Sequence, residues 1–291
     1  MSQFVKLQCN VGELYFIGTS SVAKSIRLRV NHDAGVEYVI RSYKDKWECF
    51  YDIGANVGLF SILASQIDGD RYVVAFEPEA ANLECLRKNI DLTGRRNIKV
   101  VPSAISDDDG VLKIGKADCG LARYSKTDII EVPTRSIDSF SQESGAFPHF
   151  MKLDVEGSEM SALNGATKVI SQRNSIVELE FSYRDHGRHI ARLLELFPDE
   201  HWDCEIQFQF EDIKHVDLTR ENIKRVKHID SNQIFWTQLI RDRATLMDVF
   251  DFCKNVTDRE HSRKWEVTFS PKHKTILRPP GIFDGFEVRD V

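Results

Sequence analysis

The chain has no closely spaced cysteines. Its six, Cys9, Cys49, Cys85, Cys119, Cys204 and Cys253, are scattered over 291 residues, which excludes the C-x-x-C spacing of zinc and redox sites and leaves isolated thiols as the expectation. It also lacks a basic excess: a formal net charge of -6 withholds the field that draws nucleic acid, so neither DNA nor RNA is expected as a partner. No uncharged apolar run approaches the roughly 18 residues a membrane helix needs, and Met1 to Lys6 carry no charged segment followed by an apolar stretch. A cytoplasmic protein without a membrane span is expected. Fixed-period repeats and low-complexity tracts are absent as well.

What is present includes 42% hydrophobic residues, enough for one domain of about 200 to 250 residues with an appendage. The apolar run Cys49 to Ile53 stops at Gly54-Ala55-Asn56-Val57-Gly58, and a helical pattern (Leu59, Phe60, Ile62, Leu63, Ile67) begins at once. That is how a strand, a tight turn and a helix N-terminus are written. A second apolar strand, Tyr72 to Phe76, then delivers Glu77, followed by Pro78. A carboxylate at a strand end suits the paired hydroxyls of a ribose. The dinucleotide fingerprint G-x-G-x-x-G is missing, because Asn56 and Leu59 stand where its second and third glycines belong. Close approach of a pyrophosphate is thereby disfavoured. An amino-acid tail meeting Asp52, Asn56 and nearby amides is favoured, so S-adenosylmethionine fits better than NAD.

From Cys49 onward strands and helices alternate at the interval of βαβ units, which predicts a parallel sheet. Strands are expected at Asn97 to Val101, Gly110 to Ile114, Pro148 to Val155 and Ser175 to Phe181. A helix opening at Pro78 stops at Thr93-Gly94. Trp202 to Phe208 and Ile234 to Leu239 are expected as antiparallel strands at one sheet edge, with residues 217–226 an excursion. The predicted division is an N-terminal cap over residues 1–48, a cofactor-binding domain over 49–241, and a helix and hairpin over 242–291. In the cap, Leu14 to Ile17 and Ile26 to Val30 read as strands and Gly35 to Tyr43 as a short helix; in the last segment the hairpin is Trp265 to Phe269 with Thr275 to Leu277.

The series Asp52-Ile53-Gly54-Ala55-Asn56-Val57-Gly58, Ala75-Phe76-Glu77-Pro78, Leu86 to Asn89, Ser103-Ala104-Ile105-Ser106, Lys152-Leu153-Asp154-Val155-Glu156-Gly157-Ser158-Glu159 and Val177-Glu178-Leu179-Glu180 resembles the FkbM family of S-adenosylmethionine-dependent methyltransferases. The resemblance covers about residues 48–182, with weaker echoes to about 240. It implies a Rossmann-like α/β class I methyltransferase fold, a seven-stranded, mostly parallel sheet with the last strand antiparallel and helices on both faces. It also implies O-methylation of a sugar, glycoconjugate or small metabolite. Neither an N-P-P-Y/F motif after the fourth strand nor a Pro-Cys pair occurs, which keeps hydroxyl methylation ahead of amino and cytosine methylation.

In that frame Gly54 and Gly58 line the methionine moiety, where a Cβ would crowd the cofactor or the turn. Asp52, with Asn56, serves its amino-acid portion. Glu77 accepts from both ribose hydroxyls, Pro78 starts the next helix, and Ser103 and Ala104 lie beside the adenine. Asp154 is the leading general base, with contact to the cofactor amine as its alternative. Glu156 and Glu180 either accept backbone amides or, with Asp154, hold a divalent cation such as magnesium. His186 and His189 suit proton removal near neutrality, and equally a solvated helix start. Lys152 reads as structural. Tyr15, Tyr38, Tyr43, Arg123 and Tyr124 are stacking or hydrogen-bonding candidates for a sugar. Two other readings stand beside this one: a cofactor-binding module without turnover, and a nicotinamide-dependent oxidoreductase.

Overall fold

In chain order the elements are β1 (Phe4–Cys9), β2 (Gly12–Ile17), α1 (Ser21–Arg27), α2 (Ala34–Ser42), β3 (Cys49–Ile53), α3 (Leu59–Gln66), β4 (Tyr72–Phe76), α4 (Ala80–Thr93), β5 (Ile98–Val101), β6 (Ala104–Ile105), β7 (Gly110–Gly115), β8 (Ile129–Arg135), α5 (Ile137–Ser144) and β9 (Phe150–Leu153). They continue with α6 (Glu159–Asn164), α7 (Thr167–Ser171), β10 (Ile176–Phe181), α8 (Ile190–Leu196), β11 (Trp202–Gln209), β12 (Ile223–His228), β13 (Ile234–Ile240), α9 (Arg243–Thr257), β14 (Trp265–Pro271), β15 (Gly281–Phe283) and β16 (Phe286–Asp290). This computed structural model describes residues 4–27, 33–69, 71–115, 129–181, 187–209, 223–230, 233–257, 265–276, 281–284 and 286–290. They form two compact units, residues 1–33 with 47–169, and residues 34–46 with 170–291.

In the first unit the strands β9, β3, β4 and β5 run parallel in that order. Every residue of β3 is buried, as a parallel strand covered on both faces requires. Phe50 packs against Phe150 and Trp47, while Tyr51, pointing the other way, meets Phe76 and Phe140 of α5. Leu83 and Leu86 of α4 close on Ala55 and Ala75, which presses that helix onto the turn after β3. The helix ends at Gly94 with φ 66°, the glycine stop its sequence predicts. The hairpin of β1 and β2 is held to α4 by Asn89, whose side chain accepts from Tyr15 N (2.6 Å) and donates to Tyr15 O (2.9 Å) and Val57 O (2.8 Å). A smaller sheet orders β6, β8 and β7.

The second unit orders β15, β16, β12, β13, β11, β14 and β10, each described pair antiparallel. Tyr38 of α2 meets Phe235 and Phe286 edge-on, Phe250 stacks on Phe181, and Phe197 stacks on Phe269 at 4.2 Å.

The α/β class is as expected, but the strand count is not. Among the described residues the sheet of the first unit that holds β3 has four strands, all parallel, and the sheet of the second unit has seven strands, instead of seven in all with a single antiparallel member. β11 and β13 pair antiparallel as predicted, yet not at an edge: β12 adds beyond β13 and β14 lies between β10 and β11. The expected hairpin arm Trp265 to Phe269 is thus an interior strand, and residues 223–226 of the expected excursion form the first part of β12, the rest of it lying outside the described residues. Ile26 is helical, because Ser20 accepts from Ala23 N (3.0 Å) as an N-cap and Val22, Ala23 and Ile26 are buried at helical spacing; residues 28–30 of that expected strand lie outside the described residues. The helix after β9 is broken into α6 and α7 at Gly165, where a Cβ would fall 2.1 Å from Ser106 O. No helix among the described residues is long and apolar enough to cross a membrane.

Candidate active site

Two loops at the ends of neighbouring parallel strands build the site. After β3, the amides of Gly54 and Ala55 both donate to Phe76 O (3.0 and 2.9 Å), clasping the turn to the end of β4. Gly54, Asn56 and Gly58 have φ of 83°, 51° and 89°, and among non-glycine residues asparagine tolerates that region best. A Cβ at Gly54 would sit 1.9 Å from Asp154 O, and one at Gly58 2.3 Å from Leu86 Cδ1. The need for glycine therefore arises from the protein's own packing.

The turn aims the amide of Asn56 at Glu77 Oε2 (2.8 Å), and Glu77 Oε1 accepts from Glu79 N (2.9 Å) and Asn82 Nδ2 (3.3 Å). Glu77 is buried. Burial pushes its carboxyl up to about 7, against the pull of these three donors. Pro78 is half-buried and leads into the helix. Glu77 thus carries structure as well as an acceptor: a truncation at this position would leave three donors, two of them buried, without their acceptor.

Asp52 is wholly buried, its Oδ2 accepting from Ser61 Oγ of α3 (2.6 Å) and its Oδ1 lying 3.7 Å from Lys152 Nζ. Burial raises its pKa and the Lys152 ammonium opposes the rise. Lys152, directly opposite Asp52 in the register, is also buried and reaches Asp154 Oδ2 at 3.3 Å. The sequence reading left this lysine without a site role. Its signal was present: positions 152 and 154 share a strand face because side chains alternate with period two.

The second loop follows β9. Asp154 N donates to Ile53 O (3.0 Å), and the Asp154 side chain is 31% exposed, the open carboxylate of the pair. Glu156 and Gly157 have φ of 53° and 100°. A glutamate in that region is strained; the loop is held by Glu159, whose Oε1 accepts from Val155 N (3.0 Å) and Gly157 N (3.1 Å). Ser103, after β5, is buried with no hydrogen-bond partner for its hydroxyl among the described residues, and Ala104 is half-buried at the start of β6.

Glu180 is half-buried in β10 of the second unit, opposite Glu266. His186, Arg123 and Tyr124 lie outside the described residues. Tyr38 and Tyr43 are completely buried, which removes them as stacking surfaces for a sugar. Among the described residues no three His, Cys, Asp or Glu side chains converge on a metal position, so Asp154, Glu156 and Glu180 do not make the oxygen-ligand cluster expected for magnesium.

The groups present do fit a nucleoside. A carboxylate offers about four acceptor positions; Glu77 uses three. Ser103 keeps an unsatisfied hydroxyl in the place expected for a base, and a buried hydroxyl in that state calls for a partner.

Residues 52–208 match the family model described as the Methyltransferase FkbM domain. No curated protein matches the chain. Among solved structures, the methyltransferase FkbM from Methylobacillus flagellatus KT is 20% identical with a TM-score of 0.41, over 65% of this chain and 43% of its own length. This chain therefore spans less than half of that protein. The precorrin-6y C5,15-methyltransferase from Geobacter metallireducens GS-15 is 13% identical with a TM-score of 0.40, over 72% of this chain and 88% of its own.

Proposed function

Because the chain belongs to the FkbM methyltransferase family, we propose that it transfers a methyl group from S-adenosylmethionine to a hydroxyl of a sugar, a glycoconjugate or a small metabolite. The observation that carries the reading is Glu77, a buried carboxylate closing β4 beside a left-handed glycine turn, with an acceptor position to spare. Glu77 would accept from a ribose hydroxyl at that position, Ser103 would face the adenine, and the turn from Gly54 to Gly58 would underlie the amino-acid tail. When bound, the cofactor supplies a methyl group already activated on a sulfonium.

The chain's own residues then have two tasks. The first is alignment of the acceptor oxygen at about 3 to 3.5 Å from the carbon it attacks, which a turn fixed by Phe76 O and a loop fixed by Glu159 are rigid enough to support. The second is removal of the hydroxyl proton, typically worth about 10²–10⁴-fold. Asp154, half-exposed next to that turn, is the group that accepts it.

The test is incubation with methyl-labelled S-adenosylmethionine and a panel of free sugars, glycoconjugates and hydroxylated metabolites. Label on an acceptor oxygen, lost in Asp154→Asn while S-adenosylhomocysteine still binds by calorimetry, is the expected result. Binding of NAD and not of S-adenosylhomocysteine would overturn the cofactor, and label on nitrogen or carbon would overturn the acceptor class.

A further inference from the structure

Lys152 raises a question of charge. Its ammonium lies 3.7 Å from Asp52 Oδ1, 3.3 Å from Asp154 Oδ2 and 5.1 Å from the centroid of the Phe60 ring. The arrangement is fixed by the backbone, because Asp52 and Lys152 are direct partners across β3 and β9 and Ser61 of α3 holds the other oxygen of Asp52. Asp52 and Lys152 are both buried between strands whose other residues are apolar or aromatic. Hydrophobic pairs of similar volume in such places are often no less stable, since desolvating two charges offsets most of their attraction. Stability alone does not account for the pair. What it does reach is Asp154, the open carboxylate, whose backbone touches the glycine turn.

We propose that Lys152 is a positioning and specificity residue: by tethering and partly neutralising Asp154, it limits how strongly the site prefers a cationic sulfonium ligand over its neutral thioether product. This rests on the cofactor reading above. S-adenosylmethionine and S-adenosylhomocysteine differ by one methyl and one positive charge, and a carboxylate next to the sulfur distinguishes them by that charge. A site with Asp154 unbalanced would hold the substrate too well relative to the product it must exchange. With Lys152 at 3.3 Å the difference is held down.

The experiment is calorimetric titration of each protein with S-adenosylmethionine and with S-adenosylhomocysteine, read as the ratio of the two dissociation constants. Lys152→Met should raise the preference for the sulfonium about three- to tenfold, Asp154→Asn should lower it, and Lys152→Arg should keep the wild-type ratio. Asp52→Asn combined with Lys152→Met removes both buried charges together, avoids a lone buried carboxylate, and should behave as Lys152→Met does. A merely structural lysine would weaken both ligands equally. An unchanged ratio in Lys152→Met and in the double variant, with both ligands still bound, would overturn the proposal. A wild-type protein that binds neither ligand would instead overturn the cofactor reading on which it stands.

Discussion

The loop after β3 and the loop after β9 do similar work by different chemical means. Both reverse the chain at a strand end through residues with positive φ, and they touch where Gly54 meets the carbonyl of Asp154. The first is shaped by glycine and sealed from outside by Glu77, a residue of another strand end. The second places a glutamate in the left-handed region and is sealed from within by Glu159, two residues past Gly157. One loop depends on missing side-chain volume, the other on an acceptor for its own amides. Substitutions should therefore fail in different ways in the two places.

The largest effect is expected from Gly54→Ala. A methyl placed 1.9 Å from a backbone oxygen cannot be accommodated by a side-chain rotation, and a loss of about 4 kcal/mol or more in chemical denaturation is expected. A smaller loss would mean that the loops separate easily. Next comes the titration of Glu77. Its carboxyl moves from an ordinary 4.5 to about 7 on folding, so the folded protein holds a proton that the unfolded chain has released. The stability this group contributes is fully present below about 4.5 and is lost as pH rises through about 7, on the order of 3 kcal/mol in all. Glu77→Gln should flatten that part of the stability profile, and persistence of the slope would assign it to another group.

Glu159→Ala breaks the second loop's seal, leaving the amides of Val155 and Gly157 without their acceptor. About 2 kcal/mol should be lost, with hydrogen exchange of those two amides accelerating more than the global unfolding rate. Gly58→Ala is the smallest. Its methyl would meet the tip of Leu86, which can turn aside, so about 1–2 kcal/mol is expected, chiefly from the positive φ. Equal losses at Gly54 and Gly58 would erase the distinction between a backbone clash and a side-chain one.

What the sequence disclosed follows from how local each signal is. Glycines at 54 and 58, the acid after β4 and the stop at Gly94 are legible because a few adjacent residues decide them. The partnership of Lys152 with Asp52 was half legible: period two puts 152 and 154 on one face, but the register that sets 152 opposite 52 comes from sheet assembly. The donors that Asn82 and Glu79 give to Glu77 depend on the helix start folding back, and were invisible. The residues 26–30, alternating apolar and basic, satisfied a strand pattern, while the decisive signal was the cap at Ser20. β14 has a legible strand period, yet its place between β10 and β11 is a matter of distant pairing, on which periodicity is silent.

The interposed β14 also has a consequence for synthesis. A ribosome finishes β10 and β11 well before it reaches Trp265, so in the nascent protein each of these strands has one bare edge awaiting a partner. Unpaired edges invite association with other chains, and long-range pairing closes slowly. In the second unit, β10 and β11 are thus joined only when the late strand comes between two that have been waiting.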